Sequence, residues 1–179
     1  MHPVILGLLL SGPLSLYDVQ KRFSSGLSHF YSASSGSIER ALRRIVEARD
    51  ASIHAEPGSA RGRKLYRITD AGRIAWREWM HAPTPSGSDA ETTALAKVFL
   101  LGRLESSGEQ RDVLTGIRAE VEASRETLLS VARAVDMQAA ELDAAARRLY
   151  VPQRATLDYG VRAHDTLLAW LVELEEAFS

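Results

Sequence analysis

Cationic side chains gather at two places in the first half of this chain, and their types and spacing suit contact with a polyanion. The first group is Arg40, Arg43 and Arg44, inside the run Ser35-Gly36-Ser37-Ile38-Glu39-Arg40-Ala41-Leu42-Arg43-Arg44-Ile45. The second is Arg61, Arg63 and Lys64, at the head of Arg61-Gly62-Arg63-Lys64-Leu65-Tyr66-Arg67-Ile68-Thr69-Asp70-Ala71-Gly72. A guanidinium carries a planar fork of donors that fits guanine N7 and O6 in a major groove and pairs equally well with phosphate. Small residues at a helix N-terminus add hydroxyls and free backbone N–H groups. Ser34, Ser35, Gly36 and Ser37 are therefore candidate phosphate ligands. The Tyr17 hydroxyl suits a phosphate contact or a place in the core equally well, whereas Tyr66, inside an apolar stretch, reads as core.

These side chains need elements that hold them outward. The spacing of Ile38, Leu42, Ile45 and Val46 predicts a helix over Gly36 to Ala48 with one apolar face, and Arg40 falls nearly opposite it, flanked by Arg43, Arg44 and Ser37. Before it, Val4 to Leu10 reads as a core helix stopped at Ser11-Gly12-Pro13. Leu16 to Phe23 reads as a second helix, followed by a loop from Ser24 to Ser35. After it, Ala51 to Glu56 and Arg63 to Ile68 read as two strands joined through Pro57 to Gly62, a hairpin with a cationic tip. Thr69 is placed to cap a fourth helix, whose buried face carries Trp76, Trp79 and Met80 at intervals of three and one. A basic helix, a hairpin and a closing helix make a winged helix-turn-helix.

The charge distribution agrees with this reading. The chain of 179 residues has a formal net charge of −1. Through Met80 there are 12 Lys+Arg against 7 Asp+Glu, and beyond it 10 against 16. A polyanion is drawn to the first part and repelled by the second. With 45% hydrophobic residues the chain has ample material for a core, and with no cysteine it has neither a disulfide framework nor a thiolate metal site. The apolar stretch at Val4 to Leu10 is too short to span a bilayer, so the expectation is a cytoplasmic protein without a membrane partner.

The segment 82–88, with Pro83 and Pro85 among small polar residues, reads as a linker between a domain at 1–81 and a second, all-helical one at 89–179. There, Thr92 to Leu104 is one helix, ended by Ser106-Ser107-Gly108. A three-four spacing then runs through Leu114, Ile117, Val121, Ser124, Leu128, Val131, Val135, Gln138, Leu142, Ala145 and Leu149. Ser124 and Gln138 interrupt this seam, which predicts a packed antiparallel or dimer helix rather than a long rod. Pro152 is expected to break it. A last helix, Gln153 to Phe178, carries Leu157, Val161, Leu168, Leu171, Leu174 and Phe178 on one face. These apolar residues, with Leu114, Ile117, Val121, Leu128 and Trp170, are the candidate dimerisation surface. Trp170 and Tyr159 read as core or interface, and His164 as a hydrogen-bonded interface histidine.

Enzymatic readings find no support in the residues. His2, His29, His54, His81 and His164 lack metal-ligand spacing, and there is no nucleophile elbow or phosphate-cradling glycine loop. No cofactor or metal is expected.

Specific strings in the N-terminal part resemble the DNA-binding domain of the PadR-like family of bacterial transcriptional regulators. They are Ile5-Leu6-Gly7-Leu8-Leu9, Gly12-Pro13-Leu14 with Tyr17, Ser35-Gly36-Ser37-Ile38 with Ala41-Leu42-Arg43-Arg44, and Tyr66-Arg67-Ile68-Thr69-Asp70-Ala71-Gly72. Lys97-Val98-Phe99-Leu100-Leu101-Gly102, Leu157-Asp158-Tyr159-Gly160 and Ala169-Trp170-Leu171 are similar to segments of the helical domain in one branch of that family. The resemblance implies a homodimeric repressor of a pseudo-palindromic double-stranded operator. It also allows a small-molecule effector, for which the residues indicate no site. Glu39 and Arg40 stand where the family usually has tyrosine and proline, and Ala48-Arg49-Asp50-Ala51 lacks the glycine that usually closes the recognition helix. The rival reading is a winged helix that docks an acidic protein surface without specific DNA binding.

Overall fold

The computed structural model describes residues 1–55, 63–85, 87, 89–139 and 141–178. Its elements are α1 (His2–Leu9), α2 (Leu16–Arg22), a π-helical turn (Phe23–Leu27), α3 (Ser35–Glu47), β1 (Ala51–Ala55), β2 (Lys64–Ile68), α4 (Asp70–His81), α5 (Ala90–Leu100), a 3-10 turn (Leu101–Arg103), α6 (Ser107–Ala139) and α7 (Ala144–Ala177). The protein is mainly helical, with one two-stranded antiparallel sheet. Among the described residues, no helix is long and apolar enough to cross a membrane.

The chain divides into two compact units, Met1–Gln110 and Arg111–Ser179. The first is built around α1. Every residue from Val4 to Leu9 is buried, as expected of a helix that is apolar on all sides. Pro3 sits in its first turn, where a missing N–H costs nothing. Around it pack α3, α4, α5 and β2. The Leu100 and Trp76 side chains press on α1 at Gly7, where an added Cβ would lie 2.6 Å from Leu100 and 2.8 Å from the Trp76 indole nitrogen.

The first unit therefore extends past the segment 82–88 that was expected to separate two domains. α5 buries Ala94, Ala96 and Leu100 and packs on α1. Lys97 is only 2% exposed. Its ammonium donates to the Ala82 carbonyl and stands 5.6 Å over the Trp79 ring, which is how a buried cation is tolerated.

The second unit is an antiparallel pair formed by the rest of α6 and α7. Three ion pairs fix its register: Arg118 to Glu175 at 3.1 Å, Arg125 to Asp165 at 2.5 Å and Arg154 to Asp136 at 2.7 Å. Gly160 lets Leu128 approach, since a Cβ there would meet its methyl at 3.2 Å.

Pro152 does not break the helix as expected, because α7 runs through it from Ala144 to Ala177. Proline removes one backbone hydrogen bond from a helix interior. Here Tyr150 and Arg154, on either side of it, both bond Asp136 of α6, at 2.5 and 2.7 Å. These tertiary ties bracket the defect. It follows that Leu142, Ala145 and Leu149 do not continue the α6 seam, since Leu142 lies past the end of α6 and the other two belong to α7.

Candidate nucleic-acid interface

The two cationic groups come from elements whose local sequence explains their shape. Ser34 caps α3: its hydroxyl accepts the Ser37 N–H at 3.2 Å, and the Ser37 hydroxyl donates to the Ser34 carbonyl at 2.7 Å. Both serines thus spend part of their hydrogen-bonding capacity on the helix itself. Ser35 stays exposed, and the N–H groups of Ser35 and Gly36 have no carbonyl within the helix to bond. Ile38, Leu42 and Ile45 are buried, Val46 is half-buried, and Arg40, Arg43 and Arg44 lie on the exposed side. The apolar stripe anchors the helix against α1, α2 and β1 and leaves the arginines outward.

The arginines are not equivalent. Arg43 lies 3.8 Å from Glu39, one turn before it. Among the described residues, neither Arg40 nor Arg44 has a carboxylate within ion-pair distance. The Arg40 guanidinium lies back over the first turn, 3.4 Å from where a Gly36 Cβ would stand. Glu39 also faces Tyr66. Burial pushes the Tyr66 hydroxyl above its ordinary pKa, and the Glu39 charge adds to that, opposed by Arg43. Tyr17 is 66% exposed, so of its two expected places the surface is the one it takes.

The end of α3 solves a problem posed by the sequence. The Asp50 N–H donates to Ile45 and the Arg49 N–H to Val46, both at 3.0 Å. This pattern is a Schellman close, which needs a left-handed residue at its centre. Glycine usually supplies it; here Arg49 does, with φ of 63°. The turn is held from outside. His2 bonds the Asp50 carboxylate at 2.8 Å, and the Thr69 hydroxyl donates to the Arg49 carbonyl at 2.8 Å. Thr69 also caps α4 as expected, accepting the Gly72 N–H at 3.1 Å. At Gly72 a Cβ would fall 2.0 Å from the Asp50 carbonyl oxygen, so no side chain fits.

The hairpin pairs Ala51 with Ile68 through to Ala55 with Lys64. A further backbone bridge joins Leu14 to Tyr66, at 3.0 and 2.8 Å, which holds Tyr66 half-buried. Arg61 and the tip of the expected hairpin lie outside the described residues. Lys64 is exposed. Arg63 departs from the expectation of an outward wing cation. Its guanidinium donates to the Ser15 hydroxyl and to the Asp18 carboxylate, both at 2.8 Å. Ser15 and Asp18 form a capping box at the start of α2. The Ser15 hydroxyl, with help from its N–H and the Arg63 charge, holds the Asp18 carboxyl below its usual range. The spacing Ser15-Leu16-Tyr17-Asp18 was a readable sign of that cap, and sequence reasoning passed over it.

Two other features were not foreseen. The segment expected as loop begins with a π-helical turn, closed by the Ser28 N–H donating to Phe23 at 2.9 Å. Beside it an open cleft of about 360 Å³ is lined by Tyr17, Lys21, Phe23, Tyr31, Ser35 and Ile38.

The candidate dimerisation residues divide. Leu114, Ile117, Val121 and Leu171 are buried within the single chain, so they form its core rather than a face for a partner. Leu128, Leu157, Val161, Leu168, Trp170, Leu174 and Phe178 are half-buried. Tyr159, expected as core or interface, and Leu149, expected in the seam, are exposed, as are Val151 and Met137, which were in neither set. His164 bonds the Gly160 carbonyl one turn back at 2.7 Å.

Comparison with known proteins adds independent findings. The family model described as transcriptional regulator PadR-like family matches residues 5–78. The negative transcriptional regulator PadR of Bacillus subtilis is 30% identical over 135 residues, which cover 72% of this chain and 74% of that protein. A probable transcriptional regulator of Mycobacterium tuberculosis is 28% identical over 175 residues, 90% of this chain and 88% of that protein. The crystal structure of Bacillus subtilis PadR with operator DNA aligns over 99% of this chain and 98% of that one, at 22% identity and a TM-score of 0.44. Its complex with p-coumaric acid gives 99%, 94%, 22% and 0.42. Whole-chain superposition at these scores is too loose to add to the sequence matches. With 30% identity to a regulator of which it spans 74%, and with the family's motifs in order from α1 to α4, the chain belongs to the PadR-like family of transcriptional regulators.

Proposed function

We propose that this protein is a DNA-binding repressor, not an enzyme, which acts in the cytoplasm as a homodimer on a pseudo-palindromic operator. Each α3 enters a major groove, and Arg40 and Arg44 meet base edges or phosphates there. Arg43, shared with Glu39, contributes less. Ser34, Ser35, Gly36 and Ser37, with the Tyr17 hydroxyl, approach the phosphates flanking the groove. Lys64, with Arg61, serves the wing. The half-buried and exposed apolar residues of α6 and α7 supply the contact between subunits, and two recognition helices then read half-sites one helical turn apart. The observation that carries this reading is an amphipathic helix with Ile38, Leu42 and Ile45 buried and two exposed arginines, Arg40 and Arg44, that no carboxylate of the described residues neutralises. Bacillus subtilis PadR, crystallised with operator DNA and with p-coumaric acid, supports it by kinship and extends it to release by a small organic effector.

The test is to select binding sites from a random-sequence duplex pool with the full chain, then titrate salt. Selected duplexes should share a two-fold symmetric site. The logarithm of affinity should fall linearly with the logarithm of salt, with a slope of about −5 or steeper as counterions leave the phosphates. No enriched sequence and a flat slope would leave the protein-docking reading in its place. Sedimentation at micromolar concentration should give twice the mass of the chain, and a monomer would defeat the dimer.

A further inference from the structure

We infer that Arg63 is a positioning residue rather than a DNA contact: it locks the base of the wing to the first turn of α2, so that Tyr17 and Lys64 reach DNA as one rigid unit. The inference rests on the DNA-binding reading above and concerns how that surface is assembled.

The geometry is specific. Arg63 immediately precedes β2, and Ser15 is the N-cap of α2. One guanidinium nitrogen, Nη2, donates to both the Ser15 hydroxyl and the Asp18 carboxylate at 2.8 Å. The same Asp18 oxygen accepts the Ser15 N–H at 2.9 Å and the Ser15 hydroxyl at 2.6 Å. Ser15 is 4% exposed, so the knot is anchored at the edge of the core, with the Arg63 and Asp18 side chains 42% and 34% exposed around it. One residue before it, Leu14 exchanges both backbone hydrogen bonds with Tyr66 of β2. Strand and helix start are therefore stitched together by two backbone bonds and one charged clamp. Tyr17 lies between the two capping residues, and Lys64 follows Arg63 directly, so each moves with the clamp.

Electrostatics excludes an easy double role. A phosphate approaching Arg63 must compete with a carboxylate already in hydrogen-bonding contact, and the pair presents no net charge to DNA. Among the cations of the described hairpin, the strand start offers Lys64 to a polyanion and keeps Arg63 for the fold.

The alternative, that Arg63 is a phosphate contact parked on Asp18, predicts the opposite sign for one substitution. Asp18→Asn keeps an oxygen to accept the Ser15 N–H but removes the charge that holds Arg63. If Arg63 positions, operator affinity falls about tenfold, the value of one charge-assisted hydrogen bond, and the salt slope is unchanged. If Arg63 contacts phosphate, affinity rises and the slope steepens. Arg63→Gln should reproduce the loss without changing the slope, whereas loss of a phosphate contact would flatten it by about 0.9 for each half-site. The double variant should be no worse than either single one, because both break the same clamp. Arg63→Gln alone decides the question if Asp18→Asn does not fold. Tighter binding by Asp18→Asn, or a flattened slope for Arg63→Gln, overturns the inference and leaves the DNA reading intact. A wild-type chain that binds duplex without salt dependence overturns both.

Discussion

Arginine on α3 of the first unit is used in the opposite way to five arginines of the second. In the helical pair of the second, Arg118, Arg125, Arg133, Arg154 and Arg162 each face a carboxylate at 2.5–3.3 Å. On α3 of the first, Arg43 has one distant partner at 3.8 Å, and Arg40 and Arg44 have none among the described residues. The residue type is the same, but in one place it is neutralised by a carboxylate of its own or the neighbouring helix, and in the other Arg40 and Arg44 keep their charge unpaired among the described residues. A cation's availability depends on the acids within a few ångströms, and a count of basic residues does not reveal it. Arg63 and Arg49 sharpen the point, since one is held by an acid and the other serves its backbone more than its charge.

Breaking the contrast should have its largest effect on α3. Replacing Arg40 and Arg44 together with Ala should weaken binding to the selected operator by at least about 100-fold, given 1–3 kcal/mol for each good base contact. The thermal midpoint should not change, because both side chains are exposed. Replacing Arg133 and Arg162 instead should leave affinity within about twofold, as suits exposed pairs. Equal losses from the two double variants would erase the distinction between the units.

A smaller effect is expected at Arg49, which pays a steric cost for its left-handed backbone. Arg49→Gly should raise unfolding stability by about 1 kcal/mol, read from the urea midpoint. No gain would mean that the turn does not hold this conformation.

Glu39 tests how much its carboxylate withholds Arg43. Glu39→Gln should tighten operator binding about threefold, in keeping with the small worth of an exposed pair. Weaker binding would mean that Glu39 orients Arg43 rather than sequestering it.

The smallest effect concerns the pairs of the second unit. The hydrogen bond from Arg154, then that from Tyr150, holds the Asp136 carboxyl below its ordinary range. A depressed carboxylate contributes stability above its unfolded pKa of about 3.9, and that contribution is lost as pH falls through the folded value. The melting temperature should therefore drop on acidification below about pH 4, and Asp136→Asn should reduce that drop. An identical acid profile for the variant would remove Asp136 from the account.

Much of the first unit is legible in the sequence. The apolar periodicity of α3, the Thr69 cap and the two short strands of the hairpin are local patterns, set by residues within a turn or a strand of each other. The second unit was less legible. The spacing that marked Leu114, Ile117 and Val121 is the same whether the seam faces a second copy or the chain's own next helix, and here those residues are buried within one chain. Pro152 was read by its local cost alone, although α7 runs through it with Tyr150 and Arg154 on either side bonded to Asp136 of another helix.

The sequence by itself determined that α3 exists, which way its arginines point and which family the chain resembles, because these follow from spacing within short segments. Tertiary structure alone decided which cations remain available. Glu39 lies one turn from Arg43 and could have been suspected, but Asp18 lies 45 residues from Arg63, and no spacing rule connects them. The physical reason is that a cation is neutralised by proximity in space. Proximity across a fold comes only from packing, which brings the start of one helix against the start of one strand.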